Sequence, residues 1–345
     1  MRKVLLTTNH PAPYIDKWLY AIEKKYKLTV IYNHLKDNKK TWSEFSGYPG
    51  LCYESLSINK LLGLVKCNDL LIVGGWTNKA CFLTIILGKL LGKKVGIFTD
   101  YPFHQNKYAD MFKRIFLYRW IDYIFCATKS TCTFVQNKYN LPSKKIKFFP
   151  YAIDFPNKEI NIYPKRNNDK IQILIANNFI PRKGYETLFA ALEIIAKDKK
   201  SNNFKFHIAG HGELLKKYQK QATCLDLDIT FYGWCELEVY NNLQNTTEVY
   251  IHASLEEPFG IPPLDAMARG KVVIVSDGVK STESLIKNGI NGYIYEANNA
   301  QELSDIILNL NEKEFRLIGN QAKIDVLENY NIEKNLESIE SCFIK

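Results

Sequence analysis

The chain has 345 residues, enough for about two domains at roughly 150 residues each, and its apolar fraction of 46% is ordinary for a globular protein. Its net charge of +10 is unevenly spread: residues 1–155 hold 24 Lys/Arg against 10 Asp/Glu (+14), and residues 156–345 hold 22 against 26 (−4). The basic first half asks for an anionic partner, whether nucleic acid, a membrane surface or a phosphorylated acceptor, unless it reflects a Lys- and Asn-rich genome.

In chain order, Met1-Arg2-Lys3 leads into a strand over Val4–Thr8 and is too short for a signal peptide. After the loop Asn9–Pro13, apolar residues at 15, 18, 19 and 22 fall on one face of a helix over Tyr14–Tyr26. Strands follow at Leu28–Tyr32, Leu70–Val73, Lys94–Phe98, Tyr123–Ala127 and Lys145–Pro150, with helices at 77–91, 107–121 and 129–139. Residues 33–57 show no clear period. The longest apolar stretch, Ala80–Leu91, is broken by Gly88 and Lys89 and falls short of a membrane span. After the polar segment Asn157–Lys170 the alternation restarts. Strands are expected at Ile171–Ala176, Phe204–Ala209, Ile229–Tyr232, Glu248–Ala253 and Val272–Val275, and helices at 184–197, 213–223, 236–244 and 262–269. Strands alternating with helices mean parallel, doubly wound sheets. The eight cysteines form no C-x-x-C pair and read as buried free thiols of a reducing compartment.

The most informative stretch is Glu257-Pro-Phe-Gly-Ile-Pro-Pro-Leu-Asp265-Ala-Met-Ala-Arg-Gly270. It sets two carboxylates eight residues apart around a Gly/Pro turn, between an apolar strand and a small-residue helix. Pro262 or Pro263 suits the first helical turn and Gly270 the C-cap. Such a turn aims free N–H groups and a helix dipole at an anion. Glu257 and Asp265 are acceptors and suit hydroxyls beside that anion, so the whole describes a nucleotide sugar.

The stretch closely resembles the signature of retaining glycosyltransferases of family 4, in which Glu, seven residues and Glu follow one another on a GT-B fold. The resemblance implies two Rossmann-like domains, about 1–155 for the acceptor and 160–330 for the donor, with a cleft between them and a terminal helix, about 330–345, returning to the first. It also implies that Glu257 holds the transferred sugar and Asp265, one methylene shorter than the usual Glu, the ribose. Backbone groups of Phe259, Gly260 and Ile261, with Arg182 and Lys183 of the loop Ile180–Gly184, would bind the diphosphate. The family often carries another cation six residues before Lys183, where this chain has Asn177. Gly210, in Gly-His-Gly-Glu, would allow close approach of the ligand, and Gly233-Trp234 would seat the base. Asp100 and His104, beyond the strand Lys94–Phe98, are candidates to orient or deprotonate an acceptor hydroxyl. Pro11-Ala-Pro-Tyr14 replaces the Gly-Gly of many members and is expected to touch donor or acceptor.

Asp226-Leu227-Asp228 has the spacing of a metal-binding D-x-D but precedes a strand, and reads as a turn of solvated acids. No other cluster has metal-ligand spacing, so no metal or cofactor is expected and the nucleotide sugar is a substrate. In the helix over 107–120, Met111, Phe112, Ile115, Phe116 and Leu117 form a broad face among Lys107, Lys113, Arg114 and Arg119, as on a membrane-surface helix. The expectation is a metal-independent, retaining transferase that moves a sugar from a UDP- or GDP-sugar to a lipid-linked or surface-polysaccharide acceptor. It would be cytoplasmic and peripheral on the inner face of a bacterial membrane. A GT-B epimerase or phosphorylase is the alternative. Nucleic-acid binding is set aside because no helix-turn-helix, RNP or zinc spacing is present.

Overall fold

A computed structural model describes residues 1–35, 47–103, 106–153 and 170–344. Two compact units emerge: Met1–Ala152 together with Tyr330–Lys345, and Ile153–Asn329.

The first unit is built on strands β1 (Lys3–Thr8), β2 (Lys27–Tyr32), β3 (Leu51–Cys52), β4 (Leu70–Val73), β5 (Lys94–Thr99), β6 (Tyr123–Cys126) and β7 (Ile146–Phe148). They form one parallel sheet in the order β3-β2-β1-β4-β5-β6-β7, with Val4 level with both Leu28 and Leu70. Apolar runs such as Leu70–Val73 are buried throughout because helices cover both faces of the sheet. The C-terminal helix Ile332–Ser341 belongs to this unit. Leu336, Ile339 and Cys342 enter the core with Trp18 and Phe149, and Asn335 Nδ2 donates to Pro150 O at 2.7 Å.

The second unit repeats the plan with β8 (Ile171–Ala176), β9 (Phe204–Ala209), β10 (Asp228–Gly233), β11 (Val249–His252), β12 (Val272–Ser276) and β13 (Tyr293–Tyr295), ordered β10-β9-β8-β11-β12-β13. All its pairings are parallel. In each unit the winding direction reverses beside the first strand, at β1/β4 and at β8/β11. Open sheets of this kind bind ligands at the carboxyl end of that switch point.

Several elements differ from expectation. A helix spans Ile58–Cys67, where the Ser57 side chain accepts from Lys60 N. Strand β13 and helices Ala300–Leu308 and Glu312–Asn329 complete the second unit. The helix over 107–120 is interrupted by a π turn at Lys113–Leu117. Of its expected apolar face, Leu117 is buried in the core and Phe112 stacks on Trp76 with ring centroids 5.3 Å apart. Met111, Ile115 and Phe116 do face solvent, joined by Tyr108 and Trp120. Only Cys81, Cys126 and Cys342 are fully buried, while Cys67 and Cys224 are exposed. Asp228 begins β10 and pairs with Lys170 at 3.0 Å, so of the D-x-D acids only Asp226 is freely exposed.

Candidate active site

In the second unit the chain leaves β8, forms a 3-10 turn at Pro181–Lys183 and enters the helix Tyr185–Ala196 through Gly184. Gly184 has φ +69°, and a Cβ there would lie 1.9 Å from Ala253 O. Only glycine therefore lets this loop close on the end of β11, where Leu255 N donates to Arg182 O at 2.8 Å. That closure presses Lys183 against Glu257. The Lys183 ammonium donates to Glu257 Oε2, with the two side chains 11% and 14% exposed. Arg182 Nη1 is 3.5 Å from the same oxygen and also donates to Glu256 O at 3.2 Å.

Beneath the pair lies His252, the last residue of β11 and fully buried. Its Nε2 is 3.7 Å from Glu257 Oε2, and its Nδ1 is 3.0 Å from Asn177 Nδ2. An amide N–H can only donate, so Nδ1 accepts and the ring proton sits on Nε2, toward Glu257. Burial alone would raise the Glu257 carboxyl, but His252 and Lys183 outweigh it and hold the group at about 2. Burial draws Lys183 below the usual lysine range although Glu257 pulls the other way, and burial likewise keeps His252 neutral near pH 7. The Glu257 turn is fixed from its other side: Glu257 N donates to Gly278 O at 2.9 Å and Lys280 N to Glu257 O at 3.1 Å.

Neighbouring loops at this sheet edge are braided together. Gly210 has φ +143°, and a Cβ there would lie 1.8 Å from Asn177 O. Its N–H donates to Gly233 O at 2.7 Å. The following Trp234 is 55% exposed and meets His211 edge-on at 5.0 Å, leaving an open aromatic surface. Phe259 is buried, Gly260 is the N-cap, and the helix runs Ile261–Ala268. Asp265 lies inside that helix, with Arg269 Nε 3.3 Å from its Oδ2.

The first unit has its own cavity, of about 350 Å³, at its switch point. The loop after β1 supplies Asn9 and His10, the helix Pro13–Lys25 supplies Tyr14, the loop after β4 Gly74–Thr77, and the end of β5 Thr99 with Asp100 just beyond it. Tyr151 also lines it and donates to Asp100 Oδ2 at 3.2 Å. Lys113, expected on the basic side of an amphipathic helix, instead lines this cavity. His104 lies outside the described residues. Among the described residues, no group of three or more His, Cys, Asp or Glu is placed to hold a metal ion.

Residues 157–324 match the family model for glycosyl transferases group 1. An uncharacterized glycosyltransferase of Methanocaldococcus jannaschii is 26% identical over 77% of this chain and 71% of its own length. This chain is a glycosyltransferase. A Campylobacter jejuni N,N'-diacetylbacillosaminyl-diphospho-undecaprenol N-acetylgalactosaminyltransferase is 28% identical to the transferase over 53% of this chain and 47% of its own length. The Anabaena protein HepE, solved in complex with UDP and glucose, superposes on the transferase with a TM-score of 0.75 at 15% identity, covering 99% of both chains. That likeness, with the two parallel sheets, makes the transferase a GT-B fold.

The structure brings Arg182, Lys183 and Glu257 together and sets Gly210, Gly233 and Trp234 along the same edge of the transferase's second sheet. Asp265 sits on the helix that follows Glu257, beside Arg269. The residue that sequence reasoning missed is His252, for which the only signal was a histidine closing an apolar strand five residues before Glu257.

Proposed function

We propose that the protein transfers a sugar from a nucleotide-diphosphate donor, a UDP- or GDP-sugar, to a hydroxyl of a glycan or lipid-linked acceptor. Transfer would proceed with retention and without a metal, in the manner of family 4. The observation that carries this reading is the buried Lys183–Glu257 pair at the β8/β11 switch point, flanked by Arg182. The donor's diphosphate takes the two cations and the N–H groups around Phe259–Ile261, which frees Glu257 to accept from hydroxyls of the transferred sugar. Asp265 accepts from the ribose, and Trp234 offers a face to the base.

The bond from the anomeric carbon to the diphosphate oxygen breaks, and its electron pair leaves with the diphosphate. Lys183 and Arg182 stabilise that charge in place of a metal. The acceptor oxygen bonds to the anomeric carbon on the same face, and its proton passes to the departing diphosphate oxygen. The second unit holds the donor and the first the acceptor, whose hydroxyl Asp100 orients. The outward stripe Met111, Ile115 and Phe116 rests on an anionic membrane surface that presents the acceptor. Among the described residues no helix is long and apolar enough to cross a membrane.

Thermal shift against UDP, GDP, ADP and their sugars tests the donor class, because a ligand at 100 times its Kd stabilises by about 2.7 kcal/mol. NMR of the product's anomeric configuration tests retention. Activity lost to a chelator and restored by Mn²⁺ would reject the metal-free reading.

A further inference from the structure

We propose that the cavity of the first unit binds a phosphate-bearing sugar of the acceptor, with Lys113 recognising the phosphate. This rests on the reading of that unit as the acceptor-binding half. Lys113 lines the cavity, is half-buried, and its ammonium makes no hydrogen bond or close ion pair among the described residues. Burial pulls its pKa down, and Asp110 three residues earlier raises it only in part. That carboxylate is already held by the Tyr139 hydroxyl at 2.6 Å and by Lys138 at 3.2 Å. An ammonium stripped of part of its water beside a carboxylate already engaged by two other groups is costly, and an anion in the cavity lowers that cost.

Asp100, which accepts from the Tyr151 hydroxyl at 3.2 Å, lines the same cavity. A ligand in this cavity meets a carboxylate that accepts from hydroxyls and an ammonium that takes an anion, and a sugar phosphate offers both. Thr8 and Thr77 add hydroxyl donors to the lining, a set that suits the several oxygens of a phosphate. Trp76, backed by Phe112, gives an aromatic wall for the ring. The volume of about 350 Å³ is at the low end for small-molecule pockets and fits one sugar with its phosphate. The helix turns from α to π at Lys113, a local rewinding frequent at functional sites.

Calorimetric titration of the full chain tests the site with hexose phosphates, the matching methyl hexosides, inorganic phosphate, and the same hexose phosphates esterified to a decyl chain. At least one hexose phosphate should bind saturably, and equally well with UDP present in excess. Lys113→Gln should weaken it by about 10- to 100-fold, the scale of one charge-assisted contact, and Lys113→Arg should restore part. Methyl hexosides should bind weakly and ignore the substitution. Tighter binding of the decyl ester assigns the phosphate to a lipid-linked acceptor, and equal binding to a soluble one; both uphold the site. The proposal is overturned if no phosphate compound binds, if UDP competes, or if Lys113→Gln changes nothing. The thermal shift of the wild-type protein by UDP, measured alongside, separates failure of this site from failure of the donor site.

Discussion

The side-chain amide of Asn177, just past the end of one strand of the second unit, sits 3.0 Å from Nδ1 of His252, at the end of the neighbouring strand. This contact fixes the tautomer of the imidazole. With Nδ1 accepting, the Nε2 proton faces Glu257 Oε2 across 3.7 Å, beyond direct hydrogen-bond reach, so any effect of His252 on that carboxylate is electrostatic. His252→Leu should lower kcat by up to about tenfold, the scale of one polar interaction of roughly 1.4 kcal/mol, with little change in donor KM. His252→Gln, which keeps an N–H donor, should recover part of the loss. Equal losses in both variants would reduce His252 to a packing residue.

Glu257→Gln should reduce turnover by about 10²–10³-fold, on the scale of a lost transition-state stabiliser. Since the Glu257 carboxyl is held at about 2, its own titration should leave no limb in a kcat profile between pH 4 and 8. A wild-type limb in that range that disappears in Glu257→Gln would contradict this assignment.

Breaking the pair from one side leaves a buried charge. Lys183→Met should cost about 3 kcal/mol of folding stability, read by denaturant titration, and the double variant with Glu257→Gln should regain much of it. Additive losses would mean that the two groups are not coupled.

Lys271 is fully buried, bonded to Thr247 O and to Thr247 Oγ1, and burial brings its pKa down to about 7. The folded form therefore sheds this proton before the unfolded chain does. Between pH 7 and 10.5 the unfolded chain binds more protons, so this group makes stability rise with pH across that window, by at most about 1.4 kcal/mol per unit. Below pH 7 the penalty is fully present. Lys271→Met should flatten that rise in a series of melts; an unchanged slope would assign it to other groups.

Flotation with anionic liposomes should carry the wild-type protein at low salt. Ile115→Glu with Phe116→Glu should abolish it, since both side chains face solvent, at 49% and 60% exposure. Persistence of flotation in that variant would move the membrane contact elsewhere.

Much of the second unit was legible because its strands are uninterrupted apolar runs and its signature is local: Glu257 to Gly270 is one turn and helix just past β11, contiguous in sequence. Lys183 could be read for the same reason, as part of a loop just beyond a strand. Contacts between distant segments were not legible. Nothing in the sequence pairs Asn177 with His252, 75 residues apart, and periodicity alone cannot say which side of the helix over 107–120 meets Trp76. Lys113 was misassigned because the π turn beginning there breaks the regular helical spacing on which the reading of that helix depended. The helix Ile58–Cys67 escaped because the stretch before it has no period, although its cap, Ser57, is an ordinary one.

The chain returns to the first unit at Tyr330, so that unit is made of two pieces of sequence and the second of one. The order of synthesis and the order of completion therefore differ. The second unit has all its residues once Asn329 is made, whereas the first still lacks the helix that covers Trp18, Phe149 and the carbonyl of Pro150. A cut at the boundary near residue 153 yields one unit that is whole and one with an open core. A fragment meant to isolate the first unit must carry Tyr330–Lys345 with it, joined by a linker or by circular permutation.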